Sequence, residues 1–425
     1  MKILSANEFS YSIDNQKQTQ HEELDMTVKS IIEKVRTERD KALKELTEKF
    51  DGAVIDNFIV SNAEIEKAKS LVAKSFIESI RIAAENIEAF HQNQKETSWF
   101  INPKDGVTLG QMITPIEKVG VYVPGGKANY PSTVLMNVIP AKIAGVESIS
   151  IATPPRLDGT INPYVLVAAS MLEVNRIYKM GGAQAIAALT FGTETVERVH
   201  KIVGPGNAYV ASAKKWVYGD VAIDMIAGPS EICIIADESA DPAFVAADLL
   251  SQAEHDEEAK AICITTNSVI AEKIASEVEK QLIRLNRKKI AQASIQKNGV
   301  IILADSEKQA FDLANKIAPE HLQLMVSSPS EKLSLVKHAG AIFLGSFSPE
   351  PLGDYLAGPN HTLPTNGTAK FSSPLGVYDF IKRSSIINYS KQELLKVADS
   401  IDCLAMTEGL EAHAKSILIR KGGIS

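Results

Sequence analysis

The sequence predicts an α/β protein with two doubly wound, Rossmann-like parallel-sheet domains and small helical pieces at both ends. From about residue 119, short apolar runs rich in β-branched residues alternate with helical patterns, which is the order of elements in βαβ units. The runs are almost continuously apolar, as expected of parallel strands that helices cover on both faces. Three runs end in glycines directly before a helix, which is typical of βα turns in such folds.

The composition favours an acidic soluble enzyme. The chain has 425 residues, 45% of them hydrophobic, so it can bury a substantial core in several domains. A net charge of −7 without a long basic block gives little support for a nucleic-acid-binding surface. No apolar stretch reaches the ~18 residues of a membrane helix, and the N-terminus has no signal-peptide core. Three widely spaced cysteines indicate a reducing compartment, and we therefore expect a cytoplasmic location.

The first quarter of the chain is predicted to be helical. Residues 1–20 are polar and weakly periodic and are expected to form an N-terminal arm. Apolar residues recur at helical spacing between Val28 and Leu46, and again between Ile65 and Phe90.

The predicted strands fall into two groups. The first group contains VGVYV, ISIAT, RIYKM, KIVG and VAID, and the second contains EICIIAD, AICITT, GVIILA, LQLMV and AIFLG. We therefore predict one α/β domain over residues 122–229 and another over residues 21–121 and 230–375. After residue 376 the strand signal fades, so residues 376–425 are expected to form a helical segment that packs on another domain or another subunit.

Three turns share one design, in which a strand ends in glycines before a helix. They are VYVPGG (121–126), YKMGG (178–182) and IVGPGN (202–207). Glycine lets the backbone approach a ligand, and the helix N-terminus presents free N–H groups to an anion. No turn matches G-x-G-x-x-G, so each one taken alone is equally consistent with an ordinary tight turn. Three in one domain favour a nucleotide cleft.

Gln252 and His255 are three residues apart at the end of an amphipathic helix and hence neighbours on one face. Such a pair can offer two ligands to one metal ion. The alternative is a solvated acidic helix end, because Asp256 and two glutamates follow.

Glu320 and His321 lie beside each other just before an apolar strand. Pro319 disfavours helix in the residue before it, so the pair is expected on a turn at the strand entry. Histidine titrates near neutrality and burial can raise the pKa of a glutamate, so together they can move two protons. An ordinary surface turn is the alternative.

Two further stretches carry histidine and carboxylate residues. Asp354 and His361 lie in a glycine- and proline-rich loop without apolar periodicity, where polar residues more often serve function than packing. Glu408 and His413 lie in the C-terminal segment, and they share a helical face only if Gly409 redirects the backbone.

Together these motifs resemble the histidinol dehydrogenase family. The matching segments run in order from about residue 119 to residue 416 and comprise VGVYVPGG, YPSTVLMNVIPAKIAGV, MGGAQAIAAL, VGPGNAYVASAKK, IAGPSEICIIAD, LLSQAEHD, APEHL, GDYLAGPNHTLPT and TEGLEAHAKS. An ordered set of this extent is highly specific.

The resemblance implies two Rossmann-like domains of the aldehyde-dehydrogenase type. It implies a zinc- and NAD-dependent oxidation of L-histidinol to L-histidine through L-histidinaldehyde, which ends histidine biosynthesis and reduces two NAD per turnover. Residues 122–229 would bind NAD, and residues 21–121 with 230–375 would hold metal and substrate. The enzyme would be a homodimer whose residues 376–425 reach the partner's active site.

The resemblance also implies roles for individual residues. Zinc would be bound by Gln252, His255, Asp354 and His413. Proton transfer would fall to Glu320 and His321. The substrate would contact these zinc ligands together with Ser230, His321, His361 and Glu408. NAD would contact Tyr122, Gln184 and Asn207.

The residue types support these roles to differing degrees. An alcohol gives up hydride readily only as it becomes an alkoxide, and His321 suits the base that this requires. The aldehyde must be hydrated before a second hydride leaves, and Glu320 is the available carboxylate. An all-nitrogen and oxygen ligand set suits zinc but would also accept other divalent ions.

The residues also allow three alternative functions. A thiol-dependent aldehyde oxidation would need a reactive cysteine, but Cys233 and Cys263 lie inside predicted strands and Cys403 has no base nearby in sequence. A zinc hydrolase or deaminase could use the same metal and the Glu-His pair. A metal-binding or assembly protein without catalysis is the third class.

Overall fold

The computed structural model describes residues 1–14, 22–125 and 130–422. Gly126 of the first glycine turn and the end of the predicted N-terminal arm lie outside these ranges. Within the described ranges the strands, in chain order, are β1 (Lys2–Ser5), β2 (Trp99–Lys104), β3 (Val107–Pro115), β4 (Lys118–Tyr122), β5 (Ser148–Thr153), β6 (Arg176–Lys179), β7 (Lys201–Val203), β8 (Ala222–Ile223), β9 (Glu231–Ala236), β10 (Lys260–Thr265), β11 (Val300–Leu303), β12 (His321–Met325), β13 (Ala341–Leu344) and β14 (Ile381–Tyr389).

The α-helices of the same ranges are α1 (Ala6–Asp14), α2 (Glu22–Asp51), α3 (Asn62–Leu71), α4 (Lys74–His91), α5 (Pro131–Ala144), α6 (Pro163–Met171), α7 (Gly182–Phe191), α8 (Ala208–Val217), α9 (Pro242–Ala253), α10 (Ser268–Leu282), α11 (Lys288–Asn298), α12 (Glu307–Ile317), α13 (Glu350–Tyr355), α14 (Lys391–Thr407) and α15 (Glu411–Lys421). Short 3₁₀ helices span Gln92–Gln94, Pro329–Leu335, Thr368–Lys370 and Val377–Phe380. In the described part of the chain, every helix lacks either the length or the apolar character that a bilayer crossing requires.

One sheet has the strand order of a Rossmann domain. Its five parallel strands lie in the order β6-β5-β4-β7-β8, which is 3-2-1-4-5 when they are numbered along the chain. The order reverses between β4 and β7, where Val121 pairs with Val203. Doubly wound sheets bind ligands at such a reversal, at the carboxyl ends of the strands. The glycine turns after β4 and β7 lie at this position.

The second sheet repeats the same order. Strands β11-β10-β9-β12-β13 are again 3-2-1-4-5, all parallel, and β1 adds a sixth strand beside β11. Here the reversal lies between β9 and β12. The predicted fold class, an α/β protein with two parallel sheets flanked by helices, is confirmed.

Helices of the N-terminal quarter pack with the five-stranded sheet. α2 contacts α7 and α8, and α4 contacts α5. Their apolar faces belong to the same buried clusters as Val121, Tyr122 and Ile177 of the strands. Residues 21–121 were predicted to belong to the domain of the other sheet, and that division into domains stays a prediction.

The first residues of the chain form a strand that the sequence did not predict. Lys2–Ser5 pair in parallel with Val300–Leu303, and Ala6 and Phe9 of the following helix lie in the core beside this sheet. This strand was not expected within the predicted N-terminal arm of residues 1–20, and the arm itself stays a prediction. An edge strand of four residues is held by backbone hydrogen bonds, so its side chains carry no apolar alternation.

The chain divides into two compact units, one made of Met1–Gln94 and Ile116–Phe380 and the other of Lys95–Pro115 and Ile381–Ser425. The second unit contains an antiparallel sheet in the order β14-β3-β2 and the helices α14 and α15. The predicted helical pieces at the two ends of the chain are present as α1–α4 and α14–α15, but the strands β2, β3 and β14 were not predicted. Because β2 and most of β14 are exposed, their side chains show no alternation of apolar and polar residues.

Candidate active site

Glu320 and His321 lie at the amino edge of the six-stranded sheet. α12 ends at Ile317, and Ala318 takes a left-handed backbone conformation (φ 52°) that turns the chain through Pro319. His321 is the first residue of β12. Both site residues are buried, with Glu320 7% and His321 3% exposed.

The backbone of Glu231, at the start of β9, holds both residues. Its N–H donates to Glu320 Oε2 at 2.8 Å, and its carbonyl oxygen lies 2.9 Å from His321 Nδ1. The two bonds exist because β9 and β12 are parallel neighbours in which His321 lies opposite Ile232. Ser230, a predicted substrate contact, immediately precedes this strand, and its carbonyl accepts from the N–H of Lys260.

The imidazole of His321 is oriented by this contact. Nδ1 must carry a proton to donate to the carbonyl of Glu231, so in the neutral ring Nε2 carries the lone pair. Nε2 is buried without a hydrogen-bond partner and lies 3.7 Å from Asp354 Oδ1 and 3.8 Å from Glu350 Oε1. It is the ring atom that faces the carboxylates.

Burial and nearby carboxylates shift the pKa values at the site. Burial raises the pKa of Glu320 to about 7, although the charge of His321 opposes this. Burial lowers the pKa of His321, but Glu320, Asp354 and Glu350 outweigh it and raise the pKa to about 10. Burial also disfavours the Asp354 carboxylate, yet the nearby imidazole of His321 and the charge of His361 hold the pKa of Asp354 below its usual range.

Two predicted metal ligands come from the end of α9 and the turn after it. Gln252 is 1% exposed, and its Oε1 has no hydrogen-bond partner. His255 lies just beyond the last residue of the helix, where it interacts electrostatically with Asp354 and His321. Burial lowers the pKa of His255, which favours the neutral imidazole that binds metals.

Asp354 belongs to a three-residue group that can hold a cation. Ligand atoms of His321, Glu350 and Asp354 lie within 4.8 Å of one another. Glu350 was missed by the sequence analysis, although it precedes Asp354 by four residues and both lie on the short helix α13. It is 1% exposed, Ser251 Oγ donates to its Oε2 at 3.1 Å, and its Oε1 is unpaired.

Helix α4 contacts the loop that carries His361. Asn86 Nδ2 donates to the carbonyl of Leu356 at 2.8 Å. Gly358 has φ +110°, and an added Cβ would lie 2.7 Å from the carbonyl oxygen of Asn86, so this position requires glycine. The loop thereby brings His361 Nδ1 to 3.0 Å from the carbonyl oxygen of Asp354. Burial lowers the pKa of His361.

Glu408 and His413 lie in the second unit. Glu408 caps the C-terminus of α14, Gly409 has φ +75°, and α15 begins at Glu411. The glycine therefore redirects the backbone between the two residues. Both side chains are exposed in the single chain.

The predicted NAD contacts lie around the glycine turns of the five-stranded sheet. The Tyr122 hydroxyl accepts a hydrogen bond of 3.0 Å from the N–H of Gly182, at the start of α7. Gln184, two residues further along α7, is 1% exposed, and its Nε2 has no partner within the described residues. Asn207 Oδ1 caps α8 by accepting from the N–H groups of Tyr209 and Val210.

The turn after β7 is held by a buried ion pair. Gly204 has φ +109°, and an added Cβ would lie 2.2 Å from the carbonyl oxygen of Tyr122. The N–H of Gly204 donates to Asp224 Oδ2 at 2.8 Å, and its carbonyl accepts from Lys214 Nζ at 3.0 Å. Lys214 and Asp224 also pair with each other. The backbone of two strands can approach closely here only because residue 204 is glycine.

The cysteines lie where a nucleophile is not expected. Cys233 and Cys263 are fully buried in β9 and β10, and burial raises the pKa of both thiols, that of Cys263 to about 12. Cys403 is exposed on α14. Thiols in such strand interiors are inert, so the thiol-dependent mechanism is not favoured.

Comparison with known proteins identifies the family. A sequence profile described as histidinol dehydrogenase matches residues 14–421. The chain belongs to the histidinol dehydrogenase family. The histidinol dehydrogenase of Oceanobacillus iheyensis is 54% identical over 99% of both chains, and that of Bacillus subtilis is 55% identical over 95% of both. The crystal structure of histidinol dehydrogenase from Elizabethkingia anophelis has a TM-score of 0.90 at 43% identity and covers 96% of this chain and 93% of its own.

Membership of the histidinol dehydrogenase family confirms the resemblance seen in the sequence. The protein is accordingly an oxidoreductase of amino-acid biosynthesis. The hydrolase and non-enzymatic alternatives are not favoured.

Proposed function

We propose that the protein carries out the zinc- and NAD-dependent oxidation of L-histidinol to L-histidine through L-histidinaldehyde, the end of histidine biosynthesis. The substrate is inferred from the relatives, which are histidinol dehydrogenases. The observation that carries the mechanism is the buried pair Glu320 and His321, held by one peptide backbone beside Asp354. Two oxidations at one site need a group that handles a hydroxyl proton and another that handles water, and this pair offers both.

We assign the zinc site to Gln252, His255 and Asp354 of one chain and to His413 of a second copy. The described ligands fit a divalent cation, because Gln252 offers an unpaired buried oxygen, the lowered pKa of His255 favours its neutral form and the lowered pKa of Asp354 favours its ionised form. Their nitrogen and oxygen donors suit zinc. When bound, zinc would orient the imidazole and amine nitrogens of the substrate, which is a template role.

His321 is the proposed base for the alcohol. Its Nδ1 is committed to the carbonyl of Glu231, so Nε2 accepts the hydroxyl proton. With a cation bound, Asp354 would stabilise the imidazolium less, so the neutral ring that a base requires would become accessible. Removal of the proton makes departure of the first hydride favourable.

Glu320 is the proposed group that activates water for the aldehyde. With its pKa raised to about 7, both protonation states are populated near neutral pH, so the carboxyl can take a proton from water and return it. The N–H of Glu231 fixes the orientation of Oε2. His321 passes its first proton to water, and it then accepts the hydroxyl proton of the hydrate as the second hydride leaves.

Two NAD molecules, bound in succession, would accept the two hydrides, and we assign Tyr122, Gln184 and Asn207 at the carboxyl edge of the five-stranded sheet as the residues that would hold them. The unpaired Nε2 of buried Gln184 and the close approach at Gly204 fit a dinucleotide in this place.

We further propose a homodimer in which Glu408 and His413 complete the partner's site, while Ser230 and His361 contact the substrate. Glu408 and His413, which belong to the second unit, are exposed in the single chain. That unit also carries exposed apolar side chains, which are Trp99, Phe100, Ile387, Leu404, Met406 and Leu410. Association with a second copy would remove such a surface from water.

The decisive experiment measures NADH formed per histidinol consumed, with and without a chelator. We expect two NADH per histidinol, loss of turnover after chelation and recovery on addition of zinc. Consumption of histidinol without NADH would point to hydrolytic chemistry and overturn the proposal.

A further inference from the structure

The C-terminal end of α2 lies beside the proposed NAD cleft. The helix ends at Asp51, and Gly52 (φ +68°) turns the chain away. α2 packs against α7 and α8, the two helices that begin at glycine turns of the cleft. Asp51 is near enough to Tyr122 that its charge, together with burial, raises the pKa of the phenol to about 12.

Three polar atoms on these helices are buried and unpaired. Thr47 is 0% exposed and Gln184 is 1% exposed. Thr47 Oγ1, Asp51 Oδ2 and Gln184 Nε2 have no hydrogen-bond partner within the described residues. Thr47 and Asp51 lie four residues apart and therefore on one face of α2. Buried polar atoms are normally satisfied, so such a set indicates a missing occupant.

The chemistry of these atoms defines the occupant. An ionised carboxylate only accepts hydrogen bonds, an amide nitrogen only donates, and a threonine hydroxyl does both. A pair of neighbouring hydroxyls can donate to Asp51 and accept from Gln184. A phosphate would be repelled by the carboxylate. The set therefore suits a sugar diol.

In this chain, the usual position for a ribose-binding carboxylate carries no acidic residue. In Rossmann domains that acidic residue follows the second strand. Here β5 is the second strand, and the residues after it are Pro154, Pro155 and Arg156. The next acidic residue, Asp158, is exposed and accepts hydrogen bonds from the N–H and hydroxyl of Thr160.

We propose that Asp51, supported by Thr47 and Gln184, is the ribose-binding carboxylate of this protein, supplied by a helix that precedes the sheet. The inference rests on the proposed function, because the diol is taken to be that of NAD. A carboxylate at this position also disfavours a phosphate on the same ribose.

The test compares Asp51→Asn and Asp51→Ala with Asp56→Asn, a matched change at an exposed aspartate five residues away. Calorimetric titration with NAD should show Kd raised roughly 10- to 100-fold in the Asp51 variants, as expected on loss of a charge-assisted hydrogen bond, and unchanged in Asp56→Asn. In the Asp51 variants, KM for NAD should rise by a larger factor than kcat falls, and KM for histidinol should stay unchanged. Titration with AMP identifies which ribose is bound, since AMP contains only the adenosine diol. If it is the adenosine ribose, the ratio of NADP affinity to NAD affinity should be higher in Asp51→Asn than in the unaltered protein.

Thermal unfolding separates binding from folding. Asp51 makes no stabilising hydrogen bond through its buried oxygen, so neither variant should unfold at a lower temperature than Asp56→Asn. Unchanged NAD affinity in Asp51→Asn, or a lower unfolding temperature with both KM values altered, would overturn the inference. NADH formation by the unaltered protein would still support the proposed function in that case. If the unaltered protein formed no NADH, the proposed function would fall, and NAD titration would still decide the role of Asp51.

Discussion

At the scale of single residues, three carboxylates surround one imidazole, and burial sets their charge states. Asp354 and Glu350 are close enough to interact, and their pKa values move apart, that of Glu350 rising to about 8 through burial and the charge of Asp354. Like charges in one buried site cannot all ionise at low cost. A proton or a cation must therefore be shared among these groups, which is the condition that a metal-assisted proton-transfer site requires.

Replacing His321 by Asn should lower kcat by roughly 10²- to 10⁴-fold, the usual contribution of a positioned base. Binding of histidinol should largely survive, because this side chain serves proton transfer more than anchoring. Steady-state kinetics measure the change, with His200→Asn at an exposed position as the control. A kcat within a few-fold of the unaltered value would show that another group removes the proton.

Replacing Glu320 by Gln should slow the aldehyde step more than the alcohol step. The amide can still accept from the N–H of Glu231 but cannot take a proton from water. Rates measured separately with histidinol and with histidinaldehyde test this, against Glu331→Gln at an exposed position. Equal slowing of both steps would contradict the division of labour between the two residues.

The buried carboxyl of Asp248, which is not among the candidate active-site residues, should make the free energy of unfolding depend on pH. Burial raises the pKa of this 7% exposed residue to about 6, although it accepts from Gln323 Nε2 at 2.8 Å. Because the folded pKa lies above the unfolded value of about 4, the stability it contributes is complete below pH ~4 and is lost as the pH rises through about 6.

Asp248→Asn should therefore stabilise the fold at pH 8, by roughly 1–2 kcal/mol after allowance for solvent screening, and change little at pH 4. The amide can also donate to the unpaired Oε1 of Gln323. Denaturant unfolding at both pH values measures this, with Asp305→Asn at an exposed position as the control. Equal effects at both pH values would contradict a raised pKa of Asp248 in the folded protein.

At the scale of elements, sequence patterns predicted the strands that are buried on both faces. EICIIAD and AICITT became β9 and β10, every residue of β9 being buried. β1, β2, β3 and β14 were missed, because strands with exposed or half-exposed faces gain their stability from backbone pairing that leaves no side-chain pattern. Local periodicity reports burial, and it identifies strands only where burial accompanies them.

Gly204→Ala should disrupt the carboxyl edge of the five-stranded sheet. The added Cβ would meet a carbonyl oxygen at 2.2 Å in addition to the unfavourable φ of +109°. We expect a lower unfolding temperature and a KM for NAD raised by roughly 10-fold or more.

Gly219→Ala is the control for this substitution. Gly219 has a similar φ of +114° but open space around it, so it isolates the backbone strain of about 1–2 kcal/mol. Equal effects of the two changes on KM for NAD would show that the close approach to Tyr122 is unimportant.

At the scale of the whole molecule, the proposed zinc site needs ligands from two compact units of the chain. Gln252, His255 and Asp354 belong to one unit and His413 to the other. A dimer that exchanges the second unit would satisfy both sites by symmetry.

Mixing His255→Ala with His413→Ala subunits tests this arrangement. Hybrids should regain about a quarter of full activity, because about half of randomly mixed dimers are hybrids and each has one complete site. His255→Ala mixed with Gln252→Ala should regain no activity, since both changes remove ligands that come from the same unit and neither site of the hybrid is complete. No recovery in the first mixture would place all ligands on one chain.

The sequence alone determined the two parallel sheets, the glycine turns and the segments that carry the chemistry, because burial and turn geometry are encoded in neighbouring residues. It also indicated Glu320, His321 and Asp354 through residue type and context. Only the tertiary structure revealed the backbone of Glu231 between Glu320 and His321, and Glu350 facing Nε2. The contacts of Glu231 join residues about ninety positions apart through the order of β9 and β12 in the sheet, and strand order is set by the packing of the whole chain.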